Sequence, residues 1–380
     1  MQPFGNILAA LALFGLALTL WQWLAALRFP LHRRPAQSGF TPGVTLLKPI
    51  KHCDAHTEKC LRSWFSQDYA GPVQILLGVA TVKDPVCEMA RRLIAEFSAC
   101  DAQLVICPEI LGNNLKVSKL IQLERLAAHE IIVISDADVL APKDFLASTV
   151  APLRDETVGL VNCFYRLANP VTTAMQWEAV AINADFWSSV LQARSLGPLD
   201  FALGAAMLLR RKRLARIGGF AAIADCLADD YQLGNRIAAD GGRIELSPVV
   251  VECWDPPQDW AHVWRHQLRW ARTIRVSKPA AYFFSILSNG TLWALLWLAL
   301  RPSALTAGFL GLCLAVRVLM ALHLQWRLNR STAGLGGAWL APLKDLLQTG
   351  LWFCAFAGRG VEWRGEYYQL LSDGTMVKAP

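Results

Sequence analysis

The sequence predicts an α/β domain built on a largely parallel sheet and held to a bilayer by apolar helices. Three observations predict it. Short β-rich runs at 44–49, 74–80, 103–107, 131–135, 159–164 and 244–251 alternate with helix-like segments at 85–99, 116–129 and 230–239. Alternation of this kind builds parallel sheets with crossover helices. Uncharged or nearly uncharged apolar runs flank this region, at 7–27 before it and at 283–300 and 305–324 after it, each about as long as a bilayer crossing requires. Finally, 54% of the 380 residues are apolar and 18% charged, which is too apolar for an ordinary soluble enzyme and too charged for spanning helices alone.

The run 7–27 is followed at once by Arg28, His32, Arg33 and Arg34. The positive-inside rule therefore places its C-terminal end in the cytoplasm and the N-terminus outside. A cleaved signal peptide would carry its basic residues ahead of the apolar core, not behind it. Residues 1–30 read as a membrane helix, 43–279 as a cytoplasmic domain, 280–358 as two to three further membrane or interfacial helices, and 359–380 as a C-terminal tail. Arg317 interrupts the last clear span and is expected to face protein or water. The stretch 340–357 carries Lys344 and Asp345, and a crossing there would leave Arg359, Arg364 and Lys378 outside; an interfacial or re-entrant helix is expected instead.

Net charge is +7, with basic residues clustered beside apolar segments. That pattern favours membrane lipids and a phosphorylated ligand over nucleic acid. Ten cysteines include no C-x-x-C pair, which argues against a zinc knuckle or thioredoxin-type site and for small buried hydrophobes in a reducing compartment.

The sharpest chemical signal is the run from Ile131 to Asp138, in which a buried strand ends in Ser135-Asp136-Ala137-Asp138. Residues i and i+2 of an extended chain point the same way, so both carboxylates converge at the strand tip. Paired hard oxygens suit Mg²⁺ or Mn²⁺, and such an ion suits a diphosphate. Asp84, ahead of Pro85, reads either as a helix N-cap or as a contact to a donor base or ribose at the same sheet edge. Asp229 and Asp230 open a helix, where acids favour the dipole and where a carboxylate beside a cleft also serves as general base. Lys116, after Gly112-Asn113-Asn114, is either solvated or reaches a diphosphate. The basic run Arg210-Arg211-Lys212-Arg213 reads as surface or headgroup contact.

The segment 259–275 is amphipathic. On a helical wheel Trp260, Val263, Trp264, Trp270, Ala271 and Ile274 gather on one side, with His262, Arg265, Arg269 and Arg272 roughly opposite. It reads as an interfacial helix, as a phosphate-binding face, or as both. Trp177 and Trp187 fall on a helical pattern in 173–192; core packing is the default, and acceptor contact, shared with Trp264, is the functional alternative. No G-x-S-x-G elbow, Walker loop, G-x-G-x-x-G or H-E-x-x-H occurs.

In order and spacing, Leu47-Lys48-Pro49-Ile50, Gln67-Asp68-Tyr69, Lys83-Asp84-Pro85, Gly112-Asn113-Asn114-Leu115-Lys116-Val117, Ser135-Asp136-Ala137-Asp138, Leu227-Ala228-Asp229-Asp230-Tyr231 and His266-Gln267-Leu268-Arg269-Trp270 resemble the ceramide glucosyltransferases. These are family 21 enzymes of GT-A fold, related to family 2. The hopanoid-associated N-acetylglucosaminyl transferases are close relatives. The resemblance implies a GT-A domain with a Rossmann-like, mostly parallel sheet. It implies metal-dependent, inverting transfer of glucose from UDP-glucose to ceramide, with N-acetylglucosamine transfer from UDP-GlcNAc to a hopanoid as the alternative. A polysaccharide synthase is a further alternative, although its channel would need more spans. Under the resemblance Asp84 contacts the nucleotide, Asp136 and Asp138 bind metal, and Asp230 is the base. Lys116, His266, Arg269, Trp270 and Arg272 face the donor. His266 stands where the family's motif has Gln or Arg.

Overall fold

The structure is a computed structural model describing residues 2–34, 39–332 and 335–379. The first residue of the expected anchor and the last of the expected tail lie outside the described residues. Strands β1 (Val44–Pro49), β2 (Val73–Val79), β3 (Asp101–Ile106), β4 (Ile131–Ser135), β5 (Val139–Leu140), β6 (Val158–Leu167), β7 (Ala206–Arg210) and β8 (Arg243–Cys253) form one sheet in the order β3-β2-β1-β4-β7-β6-β8-β5. β1 to β4 are mutually parallel, β6 and β8 are parallel, and β7 runs antiparallel to both of its neighbours. Every residue of β1 and β4 is buried, as continuous apolar runs in a sheet covered on both faces should be.

The chain moves outward from β1 to β2 and β3, then returns on the other side of β1 to lay down β4. In an open α/β sheet that switch point leaves a crevice outside the strands' carboxyl ends. Asp136 and Asp138 follow β4 directly, so the topology delivers both acids to the crevice rim.

β7 was not expected. It explains the basic run at its end, which binds protein and is not a headgroup patch. Arg210 donates to the Leu153 carbonyl at 2.6 Å, Arg211 to the Ala127 carbonyl at 2.7 Å, and Arg213 to Asp240 at 2.8 Å. The expected C-terminal tail is also ordered. β9 (Gly360–Trp363), β10 (Glu366–Leu370) and β11 (Met376–Lys378) form an antiparallel meander. Its apolar face, with Val361, Tyr368, Leu370 and Met376, packs on Leu227.

Among the described residues two helices, Pro3–Arg28 and Ala304–Asn329, are long and apolar enough to cross a membrane. The stretch expected to span as 283–300 is broken: Pro279–Ser288 and Gly290–Leu300 meet at 53°. Helix Ala341–Phe356, at 16 residues, is shorter than a bilayer crossing requires. The membrane helices are joined rigidly to the sheet domain. Arg327 donates to the Ala26 and Phe29 carbonyls at 2.6 and 2.9 Å, adding a charged donor to acceptors that the Phe29 and Leu31 amides also use. Ala26, Phe29, Met320, Leu324 and Leu328 share one apolar core with β1, β4 and β6.

Arg317 faces protein, as expected. It pairs with Asp185 at 2.7 Å and Asp345 at 3.0 Å, while Lys344 reaches Asp185 at 2.8 Å. Asp185 sits in a π-helical turn at Ala181–Phe186, a distortion that recurs where a side chain must be re-aimed. Two cations thus meet two anions, which is what charges at this depth require.

The first helix crosses the broken pair through glycine. A Cβ on Gly15 would lie 2.9 Å from Gly290 Cα, whereas one on Gly308 would meet nothing within 4 Å. Small residues permit such close crossings in lipid, where packing replaces the hydrophobic drive. Gly15→Leu is therefore expected to destabilise the protein by about 1–3 kcal/mol through overpacking, seen as a lower melting temperature in detergent, with Gly308→Leu close to wild type.

Candidate active site

The crevice opens into a cavity of about 1650 Å³. Asp136, Asp138, Lys116, Asp229, Asp230, His266, Arg269 and Trp270 line it, as do Asp54, Trp254, Asp255, Trp363 and Arg364.

Lys116 organises the acids. Its helix, Leu115–Glu124, is capped by Asn114, whose side chain accepts from the Lys116 and Val117 amides at 3.0 and 3.1 Å. Lys116 is buried, and its Nζ lies 2.7 Å from Asp136 Oδ1 and 3.0 Å from Asp229 Oδ2. Burial works against its charge, but the two carboxylates outweigh it and hold Lys116 protonated. The solvated reading of Lys116 is thereby overturned. A second buried cation lies behind the strand tip: Lys48 on β1 donates to Ser135 Oγ at 3.2 Å and to the Asp136 carbonyl at 2.5 Å. Burial pulls Lys48 down to about 8, partly offset by Asp138.

The remaining acids are undercompensated. Burial, then the charges of Asp136 and Asp255, push Asp138 up to about 7. Burial and neighbouring Asp229 push Asp230 up to about 6, against the pull of Lys116. Burial and Glu178 raise Asp255 to about 6. Asp230 accepts from the Tyr231 amide at 2.8 Å in the first turn of helix Asp229–Ala239. Gly204 makes room for it, since a Cβ there would lie 2.6 Å from Asp230 Oδ2.

On helix Trp260–Ser277, His266 and Arg269 face the cavity. His266 Nδ1 lies 2.6 Å from Glu178 Oε1. Trp270 packs edge-on against His266 at 5.0 Å and tilted against Phe186 at 5.8 Å. Burial, then the nearby charge of Arg364, lower Arg269 to about 10. Its guanidinium makes no side-chain hydrogen bond among the described residues.

Other expected site residues stand elsewhere. Asp84 lies outside the cavity wall. Its carboxylate caps the Val86 amide at 3.1 Å and accepts from the His52 amide at 3.0 Å, so it shapes the lining loop from behind. His52 is held at φ 58°, a backbone state costing a non-glycine residue about 1–2 kcal/mol. Arg272 turns away to donate to the Gly360 carbonyl, which tethers the C-terminal meander and not a donor. Trp177 and Trp187 are fully buried. Trp177 and Trp264 pack with Val263, Leu340 and Leu351, and Trp187 packs on Phe164 at 5.8 Å. None of the three tryptophans reaches the cavity, so their role as acceptor contacts is withdrawn. The wheel's single aromatic face fails because this helix is packed on several sides.

Sequence reading missed Lys48, Glu178, Asp255, Trp363 and Arg364. Two left a signal: Lys48 is a lone cation in an apolar strand, and Glu178 a lone acid in the apolar helix Thr173–Val180. Buried charges of this kind are rare without a partner.

The sheet order, the acids at the strand tip and the flanking apolar helices together define a GT-A architecture. Among solved structures, a mannosyltransferase from Pyrobaculum calidifontis, in complex with GDP-Man and Mn²⁺, aligns with TM-score 0.57 and 25% identity, covering 90% of this chain and 99% of that one. Residues 7–376 match the sequence profile of glycosyl transferase family 21, and the chain belongs to that family. Ceramide glucosyltransferase 3 of Caenorhabditis elegans is 22% identical over 223 residues, which is 58% of this chain and 48% of that protein. An N-acetylglucosaminyltransferase of Rhizobium leguminosarum bv. viciae is 22% identical over 284 residues, 70% of this chain and 65% of that protein. The chain spans about half the length of the ceramide glucosyltransferase relatives from C. elegans that it matches.

Lys116→Met should leave Asp229 buried without its cation. Breaking a buried pair in this way costs on the order of 3 kcal/mol. The expected result is a lower melting temperature, partly restored when Asp229→Asn removes the stranded charge in the same chain.

Proposed function

We propose that this protein transfers a glucosyl group from UDP-glucose to the hydroxyl of ceramide at the cytoplasmic face of a membrane, with inversion at the anomeric carbon. The observation that carries this reading is the cavity's extent. One end holds Asp136, Asp138, Lys116 and Asp230; the other is walled by Leu16, Leu18 and Trp21 of the first membrane helix and by Phe284 and Ile286 of the broken pair. A polar donor and an apolar acceptor fit one continuous space, and a lipid entering sideways keeps its chains out of water.

Asp230 takes the proton from the attacking hydroxyl. Its elevated proton affinity makes it a stronger base than a free carboxylate while leaving it mostly ionised at neutral pH. Inversion follows from one direct displacement: the lipid oxygen bonds to the anomeric carbon as the nucleoside diphosphate leaves from the opposite side. Arg269 and His266 stand on the helix facing that cleft, and Arg269, unpaired among the described residues, offers its guanidinium to the developing phosphate charge.

The donor set also suits Mg²⁺ or Mn²⁺. Carboxyls at Asp138, Asp230 and Asp255 all held above their ordinary range mark a site short of positive charge. Asp136 and Asp138 would hold the ion. No group of three or more His, Cys, Asp or Glu stands ready to ligate it among the described residues, so these two carboxylates would hold it together with ligands from outside the protein, as is usual for Mg²⁺. When bound it neutralises charge on the leaving group.

In a second reading the sugar is N-acetylglucosamine from UDP-GlcNAc, which the length of the match to the rhizobial N-acetylglucosaminyltransferase favours, and the acceptor is a hopanoid. Membranes carrying the protein, given UDP-glucose and UDP-GlcNAc against ceramide and a hopanoid, decide between the two when the glycolipid is identified by mass spectrometry. Glucosylceramide is the expected product; no glycolipid from any pairing would sink the reading.

Asp230→Asn is expected to reduce turnover about 10²–10⁴-fold, the usual contribution of a positioned base, with UDP affinity near wild type. Only ionised Asp230 accepts a proton, and burial favours its protonated form. The kcat/KM profile should therefore fall tenfold per pH unit below about 6. An acid limb that persists unchanged in the residual activity of Asp230→Asn would show that Asp230 is not the base.

A further inference from the structure

Glu178 lies outside every motif that marks this site. It sits on helix Thr173–Val180, is 5% exposed, and has neither lysine nor arginine bonded to it among the described residues. A carboxylate is not buried this way without a compensating set of donors. The donors here come from one helix: His266 Nδ1 at 2.6 Å and Gln267 Nε2 at 2.9 Å, both on Oε1. A carboxylate only accepts, so His266 Nδ1 carries a proton toward Glu178. Nε2, which has no partner among the described residues, is the nitrogen left for the cavity. Arg269 follows three residues later, on the same face of the helix, lines the same cavity, and lies within the electrostatic reach of Glu178.

We propose that Glu178 is a positioning residue for the donor diphosphate: it fixes the His266 ring through Nδ1 so that Nε2 and the Arg269 guanidinium are presented side by side to the phosphate oxygens. This rests on reading the cavity as a nucleotide-sugar site. A ring bonded to a buried carboxylate on one side and to a phosphate on the other carries a proton on each nitrogen, and Glu178 balances the resulting charge. The arrangement explains how histidine serves where relatives of this motif carry Gln or Arg. A free imidazole has two equivalent ways to turn; a clamped one has a single direction.

The test uses the full-length protein in detergent-lipid micelles, with UDP binding measured by calorimetry and steady-state constants for donor and acceptor lipid. Glu178→Gln is expected to weaken UDP binding and raise the donor KM at least tenfold, with the acceptor KM unchanged. His266→Ala should give a similar loss. The double variant should be no worse than His266→Ala alone, because Glu178 acts through that ring. Glu178→Asp, which keeps the charge one methylene short, should recover part of the donor affinity and serves if Glu178→Gln does not fold. Unchanged UDP affinity in Glu178→Gln, equal losses for donor and acceptor, or losses that multiply in the double variant would each overturn the proposal. Wild-type protein that binds no UDP would instead sink the functional reading beneath it.

Discussion

The arrangement of the site depends on one of its two buried ammonium groups. Lys116 sits between the tip of β4 and the start of helix Asp229–Ala239, two elements that are far apart in the chain. Without it Asp136 and Asp229 would repel one another across the crevice. With it, two acids are tied down and the others stay under strain from burial and mutual repulsion. The fold stabilises only part of its own negative charge. What remains is an electrostatic demand that an incoming cation and the cationic helix above it can meet. Binding strength is thus prepared by leaving the resting site imperfectly neutralised.

How far the fold was legible depends on what each segment has as neighbours. β1 and β4 were read to the residue because continuous apolar, β-branched runs between turn signals have few other solutions. The paired acids Asp136 and Asp138 were legible because they follow directly on β4, although Ala137 and Asp138 stand in a turn beyond the strand and not on an extended tip. β7 was hidden because its apolar residues run straight into arginines that looked like a surface patch. The meander at 360–378 was read as a tail although Arg364-Gly365 and Asp373-Gly374 are ordinary turn pairs; each strand is too short to show alternation. Tryptophans invite functional readings because they are large and amphipathic, yet Trp177 and Trp187 serve packing. Glu178 illustrates the opposite failure: its meaning exists only once its helix lies against Trp260–Ser277.

Coupling between membrane and sheet is mechanical. The first helix ends in the same apolar core that supports β1, β4 and β6, and Arg327 binds the carbonyls at its exit. The balanced group of Asp185, Arg317, Lys344 and Asp345 fixes the last helices against the helix that carries Glu178 and the π turn. Changes in the bilayer region therefore reach the cavity through packed, hydrogen-bonded contacts and not through a flexible stalk.

The C-terminal meander has a consequence for biosynthesis. Its strands close against Cys226 and Leu227, beside the helix that carries the candidate base, and they supply Trp363 and Arg364 to the cavity. The apolar helices Gly290–Leu300 and Ala304–Asn329 are synthesised between those two regions. The sheet domain consequently waits, with one wall of its cleft missing, until those helices have been made and the closing strands emerge. The pocket is therefore completed only by the last of these elements to leave the ribosome.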